Sequence, residues 1–246
     1  MPRFFLKEKK FDQPAVTITD PKEIHHLKNV LRLKKEEKIT LFNAHGEEAN
    51  ATILSISEQK VEVAINSMNK SPANPFKLTL ACAIPKKAKF ETIIEKATEL
   101  GVDEIVPLQT KRTEVIIPKE RMTSKIARFE TIAVNAAKQS QRSSVPHISP
   151  GVDFKTFLRF LKAPCLILIP CLPEPRLKLS EALAQTKDKN FTQIICLIGP
   201  EGDFTPEEIE FAKEEGAIPV SLGKTTLKVD TACFCILSYI KITLNI

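Results

Sequence analysis

From Phe76 onward the chain alternates short apolar runs with stretches of helical spacing, and few folds accommodate that rhythm. "KLTLACAIP" is an apolar run of strand length, and "KKAKFETIIEKATELG" sets Phe90, Ile93, Ile94, Ala97 and Leu100 on one helical face before Gly101 stops it. The alternation continues through "DEIVPLQT" (strand), "RMTSKIARFETIAVNAAKQSQR" and "FKTFLRFLK" (helices), "APCLILIP" (strand), "KLSEALAQTK" (helix) and "FTQIICLIGP" (strand). A further helix, the strand "AIPVSLG" and the helix "DTACFCILSYIKI" complete the series. Strands that alternate with helices predict a parallel α/β sheet covered on both faces, and such sheets bind ligands at the carboxyl ends of their strands.

Two turns at such ends carry glycine. In "LIGPEGDFTPEEIEFAKEEG", Gly199 and Gly202 flank Pro200 and Glu201, so the backbone can turn sharply and a ligand can approach the main chain. The next helix has a bounded start: Thr205 suits the cap, Pro206 the first helical position, and Glu208 completes a capping box. One glycine turn is common in strand-to-helix connections, but a second, "SLGKTTLK", follows the next strand. The familiar phosphate motifs are absent: there is no G-x-x-x-x-G-K-[ST], and Gly199 to Gly202 does not extend to G-x-G-x-x-G.

Residues 1–70 read differently, as short strands with one helical segment. "AVTITD" is strand-like, "PKEIHHLKNVLRL" places Ile24, Leu27, Val30 and Leu31 on one helical side, and "KITLFNAHGEEANATILSISEQKVEVAI" alternates around a turn. "SPANP", residues 71–75, reads as a linker, leaving 76–246 as the larger domain. The net charge of +6 is unevenly placed: basic against acidic residues number 12 against 10 in 1–75, 13 against 8 in 76–150 and 11 against 12 in 151–246. Such a bias is compatible with a polyanionic partner such as RNA but does not identify one. The six cysteines form no C-x-x-C pair and the four histidines lack the spacing of a closed zinc site, so no metal is expected. The apolar part of "MPRFFLKEKKF" is too short for a signal peptide, and no apolar run reaches the roughly 18 residues that span a bilayer; the expectation is a cytoplasmic protein with no membrane partner.

Three segments together, "LIGPEGDFTPEEIEFAKEEGAIPVSLGKTTLKVDTA", "PKKAKFETIIEKATELGVDEIVPL" and "AAKQSQRSSVPHI", resemble the RsmE family, whose members methylate N3 of a uridine in small-subunit (16S) ribosomal RNA. "MPRFFL" and "HHLKNVLRLKKEEKITLFN" resemble that family's N-terminal PUA-like β-barrel, so the likeness covers nearly the whole chain. What it implies is a SPOUT fold, a parallel α/β sheet with its C-terminal segment threaded into a trefoil knot, which binds S-adenosylmethionine in the knot. It further implies a homodimer with its active site at the subunit boundary, and ribosomal RNA or the small ribosomal subunit as partner. The chain departs from the family pattern at several positions. Asp203 follows "GPEG" where the family has another glycine, the family's "LRTETA" appears as "LKVDTA", and Gln141 stands at a common glycine position.

On that resemblance, main-chain groups around Gly199, Gly202, Leu222, Gly223 and Leu227 are the cofactor contacts, with Glu201 bonding the loop or the ligand. Uridine N3 carries a proton at neutral pH, so its methylation calls for proton removal or for stabilising negative charge on O2 and O4. Lys228 supplies positive charge, Asp230 takes the proton or orients Lys228, and Arg142 holds phosphate or the target base; a solvated pair at a helix start, with Asp230 as cap, is the plain alternative for the first two. RNA contacts are expected at Lys138, Gln139 and Ser140, at Lys86, Lys87 and Lys89, and at Arg3, Arg32, Lys34 and Lys35. The same residues leave open a SPOUT methyltransferase acting on another RNA, or an RNA-binding assembly factor that has lost turnover.

Overall fold

The computed structural model describes residues 1–7, 9–44, 46–70, 75–86, 89–161, 164–184 and 191–245, which leaves Lys87 and residues 71–74 of the expected linker outside the described residues. By contacts the chain divides into two units: Met1–Ala73 with Ala137–Val145, and Asn74–Ala136 with Pro146–Ile246. The second segment of the first unit, 137–145, falls within the stretch that the sequence rhythm assigns to the larger domain.

The first unit carries β1 (Arg3–Phe5), β2 (Ala15–Ile18), α1 (Pro21–His25), β3 (Lys38–Phe42), β4 (Glu47–Ile56) and β5 (Val61–Lys70). They form one five-stranded sheet in the order β1-β3-β4-β5-β2, antiparallel except for β1 beside β3. In β4, Ala49, Ala51 and Ile53 are buried at alternate positions, which turns one face of the sheet toward Phe4, Phe11, Ile18, Leu27 and Leu41. Register shifts at Asn50/Ala51 and Ile53/Ser55 let the two ten-residue strands bend around that core.

The helix expected over residues 21–33 is cut short. Asp20 caps α1 by accepting from the Lys22 amide at 2.7 Å, but after His25 the chain widens into a π-helical turn, His26–Val30, and Arg32 takes φ 54°. Ile24 and Leu27 stay buried, whereas the wider turn carries Val30 and Leu31 off the apolar face to 61% and 39% exposure.

The second unit contains β6 (Lys77–Ala83), α2 (Lys89–Glu99), β7 (Glu104–Gln109), α3 (Lys119–Gln139, whose last turn belongs to the first unit), β8 (His147–Ile148), β9 (Val152–Asp153), α4 (Phe154–Arg159) and β10 (Cys165–Pro170). Then come β11 (Leu177–Lys178), α5 (Leu179–Ala184), β12 (Gln193–Ile198), α6 (Pro206–Glu214), β13 (Ile218–Ser221) and α7 (Val229–Leu244). All strand pairs are parallel, in the order β11-β13-β10-β12-β6-β7-β8 with β9 also against β7. β6, β10 and β12 are apolar along nearly their whole length because both faces of the sheet are covered.

Strand β12 inserts between β10 and β6, and β13 lies on the far side of β10. From β13 the chain must therefore return past β10 and β12 to place α7 against α2 and β12, as it does. Helices α2 and α7 run side by side in the same direction: Lys89 Nζ meets Asp230 Oδ2 at 3.2 Å at their starts, and Lys241 Nζ donates to the Glu99 carbonyl at 3.1 Å near their ends.

The capping box at α6 is formed: the Thr205 hydroxyl accepts from the Glu208 amide, and the Glu208 carboxylate accepts from the Thr205 amide at 2.9 Å and the Lys111 amide at 2.8 Å. Thr205→Ala is expected to cost about 1 kcal/mol, read as a drop of roughly 2–4 °C in melting temperature by calorimetry. An unchanged melting temperature would show that the box contributes nothing net.

Candidate active site at the carboxyl ends of the strands

The loops that leave β10, β12 and β13 enclose a cavity of about 350 Å³, within the size range of small-molecule sites. The first wall is the Cys171–Arg176 loop after β10, the second is the Gly199–Asp203 turn after β12, and the third runs from Leu222 to the start of α7. Ile198, Val220 and Val229 give it an apolar lining, and the glycine turns bring main-chain groups to its surface.

Of the residues expected at the cofactor, Gly199, Glu201, Leu222, Gly223 and Leu227 line this cavity. Gly199 is constrained on its other side as well: a Cβ there would lie 3.1 Å from the ring of Phe204, which is buried and tilted against Phe154. The Glu201 carboxylate accepts from the Lys86 amide at 3.0 Å, tying the turn after β12 to the loop after β6. Gly202 is not on the lining. It faces away, where the Arg112 guanidinium binds its carbonyl at 2.6 Å and reaches the Phe204 carbonyl at 3.3 Å. Gly223 has φ 120°, a conformation that residues with a side chain rarely adopt, and a Cβ there would meet no protein atom within 4 Å.

Lys228, rather than Asp230, holds the cap position of α7, and its side chain bonds none of the helix amides. The positive end of α7 thus lies at the cavity edge, with the exposed Lys228 ammonium beside it. Asp230 lies in the first turn and pairs with Lys89, not with Lys228. Burial raises the Asp230 carboxyl, but the Lys89 ammonium and the amides at the helix start outweigh it, so its pKa ends below the ordinary value. It is therefore ionised and weakly basic at neutral pH, which disfavours the proton-acceptor role. Cys171 is the opposite case: burial first, then the charge of Asp203, pushes its thiol up to about 11, so it is a neutral wall residue and not a nucleophile.

The lysines after β6 are less available to phosphate than their sequence cluster suggests. Lys86 pairs with Glu114 at 2.8 Å and Lys89 with Asp230, while Lys87 lies outside the described residues. In the first unit, Lys138 is spent on Glu23, both side chains being largely buried, and Arg3 is 11% exposed between Glu48, the Arg142 carbonyl and the ring of Phe42. Those two positions hold the first unit together. Arg32, Lys34, Lys35 and Gln139 are exposed, Ser140 is half-buried, and half-buried Arg142 donates to Ser144 Oγ at 3.1 Å. Arg142, Lys138, Gln139 and Ser140 thus follow the first unit by contact, or its boundary, and none of them lines the cavity.

Sequence reasoning missed the whole wall from Cys171 to Arg176. Its signal was present, since "APCLILIP" ends just before it and a loop at that end of a parallel strand is where ligands bind. Arg112 carried no signal at all: it is one arginine in a loop, placed by the fold against Gly202.

A parallel α/β sheet with a small-molecule cavity over its strand ends, joined to a five-stranded β unit, defines a two-part enzyme of the RNA methyltransferase class: residues 72–241 match the RNA methyltransferase domain and residues 18–66 the RNA methyltransferase PUA domain. Ribosomal RNA small subunit methyltransferase E of Bacillus subtilis is 30% identical over 98% of this chain and 96% of its own, and that of Synechocystis 31% over 94% and 74%. The solved ribosomal RNA small subunit methyltransferase E of Neisseria gonorrhoeae, bound to S-adenosyl methionine, superposes with a TM-score of 0.85 at 28% identity, covering 99% of this chain and 98% of that one. The chain belongs to the ribosomal RNA small subunit methyltransferase E family.

Proposed function

We propose that this chain methylates N3 of a uridine in 16S ribosomal RNA, with S-adenosylmethionine held in the cavity over β10, β12 and β13. The observation that carries the reading is the start of α7 with the exposed Lys228 ammonium beside it, on the edge of a cavity walled by glycine turns. The lining fits the cofactor: an apolar surface from Ile198, Val220 and Val229 suits an adenine face, and main-chain groups near Gly199, Leu222, Gly223 and Leu227 suit its polar edge and the ribose. When bound, the cofactor supplies an electrophilic methyl group on a sulfonium.

The chain's own groups then act on the acceptor. Lys228 and the positive end of α7 favour negative charge at the cavity edge, and this is the charge that uracil O2 and O4 gain as N3 gives up its proton to water. Asp230 pairs with Lys89 at the start of α2, which leaves Lys228 without a carboxylate partner among the described residues. Because the Watson–Crick edge must be open, the uridine is unpaired or flipped out. Arg32, Lys34, Lys35 and Gln139 of the first unit contact RNA, and Arg142 with Ser140 completes the acceptor side at the boundary of a homodimer. The passage from β13 to α7 forms the trefoil knot, and the protein works in the cytoplasm.

The test is transfer from S-adenosylmethionine to purified small subunits and to protein-free 16S RNA, followed by nucleoside mass spectrometry. Appearance of 3-methyluridine in either supports the reading. A different methylated nucleoside, or transfer only to another RNA, would move the chain to another substrate.

A further inference from the structure

Asp203 has φ 60°, a left-handed conformation that aspartate adopts more readily than most residues but that still disfavours a side chain. Its carboxylate uses that geometry in two directions. Oδ1 accepts from the Phe204 amide at 2.8 Å, and Oδ2 reaches across to the Leu172 amide at 3.0 Å. The second bond joins two walls of the cavity, the turn after β12 and the loop after β10. That loop is braced from inside by Arg176, whose guanidinium donates to the Cys171 carbonyl at 2.9 Å and to Glu174 Oε1 at 2.6 Å and 3.0 Å. The loop leaves β10 and enters β11, both paired to β13, and among the described residues Asp203 is the side chain from the β12 turn that bonds it between those ends.

We infer that Asp203 is a positioning residue: it fixes the Cys171–Arg176 wall against the Gly199–Asp203 turn and so pre-forms the cavity for its ligand. This rests on the reading that S-adenosylmethionine occupies the cavity. A wall held in place before binding spares the ligand the cost of ordering it, so loosening the wall weakens affinity. Glycine at 203 accepts φ 60° without strain and deletes both carboxylate bonds, so exchange at the Leu172 amide is the readout specific to the tether. Asparagine also tolerates the conformation, but it offers one acceptor where the carboxylate offers two.

Three readouts test it. In the ligand-free protein, hydrogen exchange at the Leu172 amide is faster in Asp203→Gly than in the parent. By calorimetry the dissociation constant for S-adenosylmethionine rises about fivefold, a modest figure because the bond to Leu172 is solvent-exposed, and Asp203→Asn falls between the two. In turnover the change falls on KM for the cofactor rather than on kcat. Equal affinities for parent and glycine variant, or unchanged exchange at Leu172, would overturn the role of Asp203 while leaving the cofactor reading intact. A parent that gives no binding to S-adenosylmethionine would overturn both.

Discussion

Lys228→Ala is expected to slow single-turnover methyl transfer about a hundredfold, near 2.7 kcal/mol, with the affinity for S-adenosylmethionine nearly unchanged. The position of the side chain sets both halves of this expectation. Lys228 sits at the cap of α7, exposed, with no side-chain bond to the helix and with the neighbouring carboxylate, Asp230, already paired to Lys89. A free ammonium gains nothing from a sulfonium, whose charge has the same sign. It gains from the anionic uracil, where charge builds as N3 becomes the nucleophile, and an interaction made mainly in the transition state appears in the rate and not in ground-state binding. Lys228→Arg keeps the charge and should match or exceed the parent. Rapid-quench single-turnover assays at saturating cofactor, set beside calorimetry, separate the two effects. Loss of cofactor affinity in step with rate would assign Lys228 to the ground state instead.

Gly223→Val should weaken cofactor binding by about two orders of magnitude in a folded protein. The reason is conformational rather than steric: a Cβ at 223 meets no protein atom within 4 Å, but φ 120° lies outside the regions open to a β-branched residue. Enforcing it costs on the order of 1–3 kcal/mol, and the loop relieves the strain by moving. That loop is one wall of the cavity and runs directly into the cap of α7, so relief of strain displaces both the Leu222–Leu227 main chain and Lys228. Gly223→Ala, with less bulk at the same φ, should show the same effect in smaller degree. A valine variant that keeps its melting temperature and binds S-adenosylmethionine like the parent would place the cofactor away from this turn.

Much of the larger unit was legible because its signals are local. The apolar runs of β6, β10 and β12, the stop at Gly101 and the capping box at Thr205 are all fixed by neighbours a few positions away, and each appears where the spacing puts it. Periodicity failed where the backbone changed its own period, in the π-helical turn that carries Val30 and Leu31 to the surface. The two departures from expected glycine also make physical sense. Asp203 and Gln141 have φ 60° and 59°, and Gln141 closes α3 with the Arg142 amide on the Ala137 carbonyl at 3.0 Å, the bond pattern that Gly101 serves at the end of α2.

The site was legible in its turns but not in its charges. Glycine marks a backbone requirement that can be read from one position, whereas the fate of a lysine depends on which carboxylate the fold brings to it. Lys86 and Lys89 look alike in sequence, yet Glu114 takes one and Asp230, 141 positions away, takes the other. Lys138 and Arg3 likewise read as surface cations until Glu23 and Glu48 are set beside them.

The pairing of α7 with α2 joins residues 229–244 to residues 89–99, ends to ends, across most of the larger unit's chain. Contacts so remote in sequence close a long loop, and the entropy of that closure is lost before the contacts repay it. The cap of α7 and the third wall of the cavity exist only once that helix has docked. Residues 229–244 follow every strand of both units in the chain, so the side of the cavity nearest Lys228 depends on a segment made after all of the sheet it packs on.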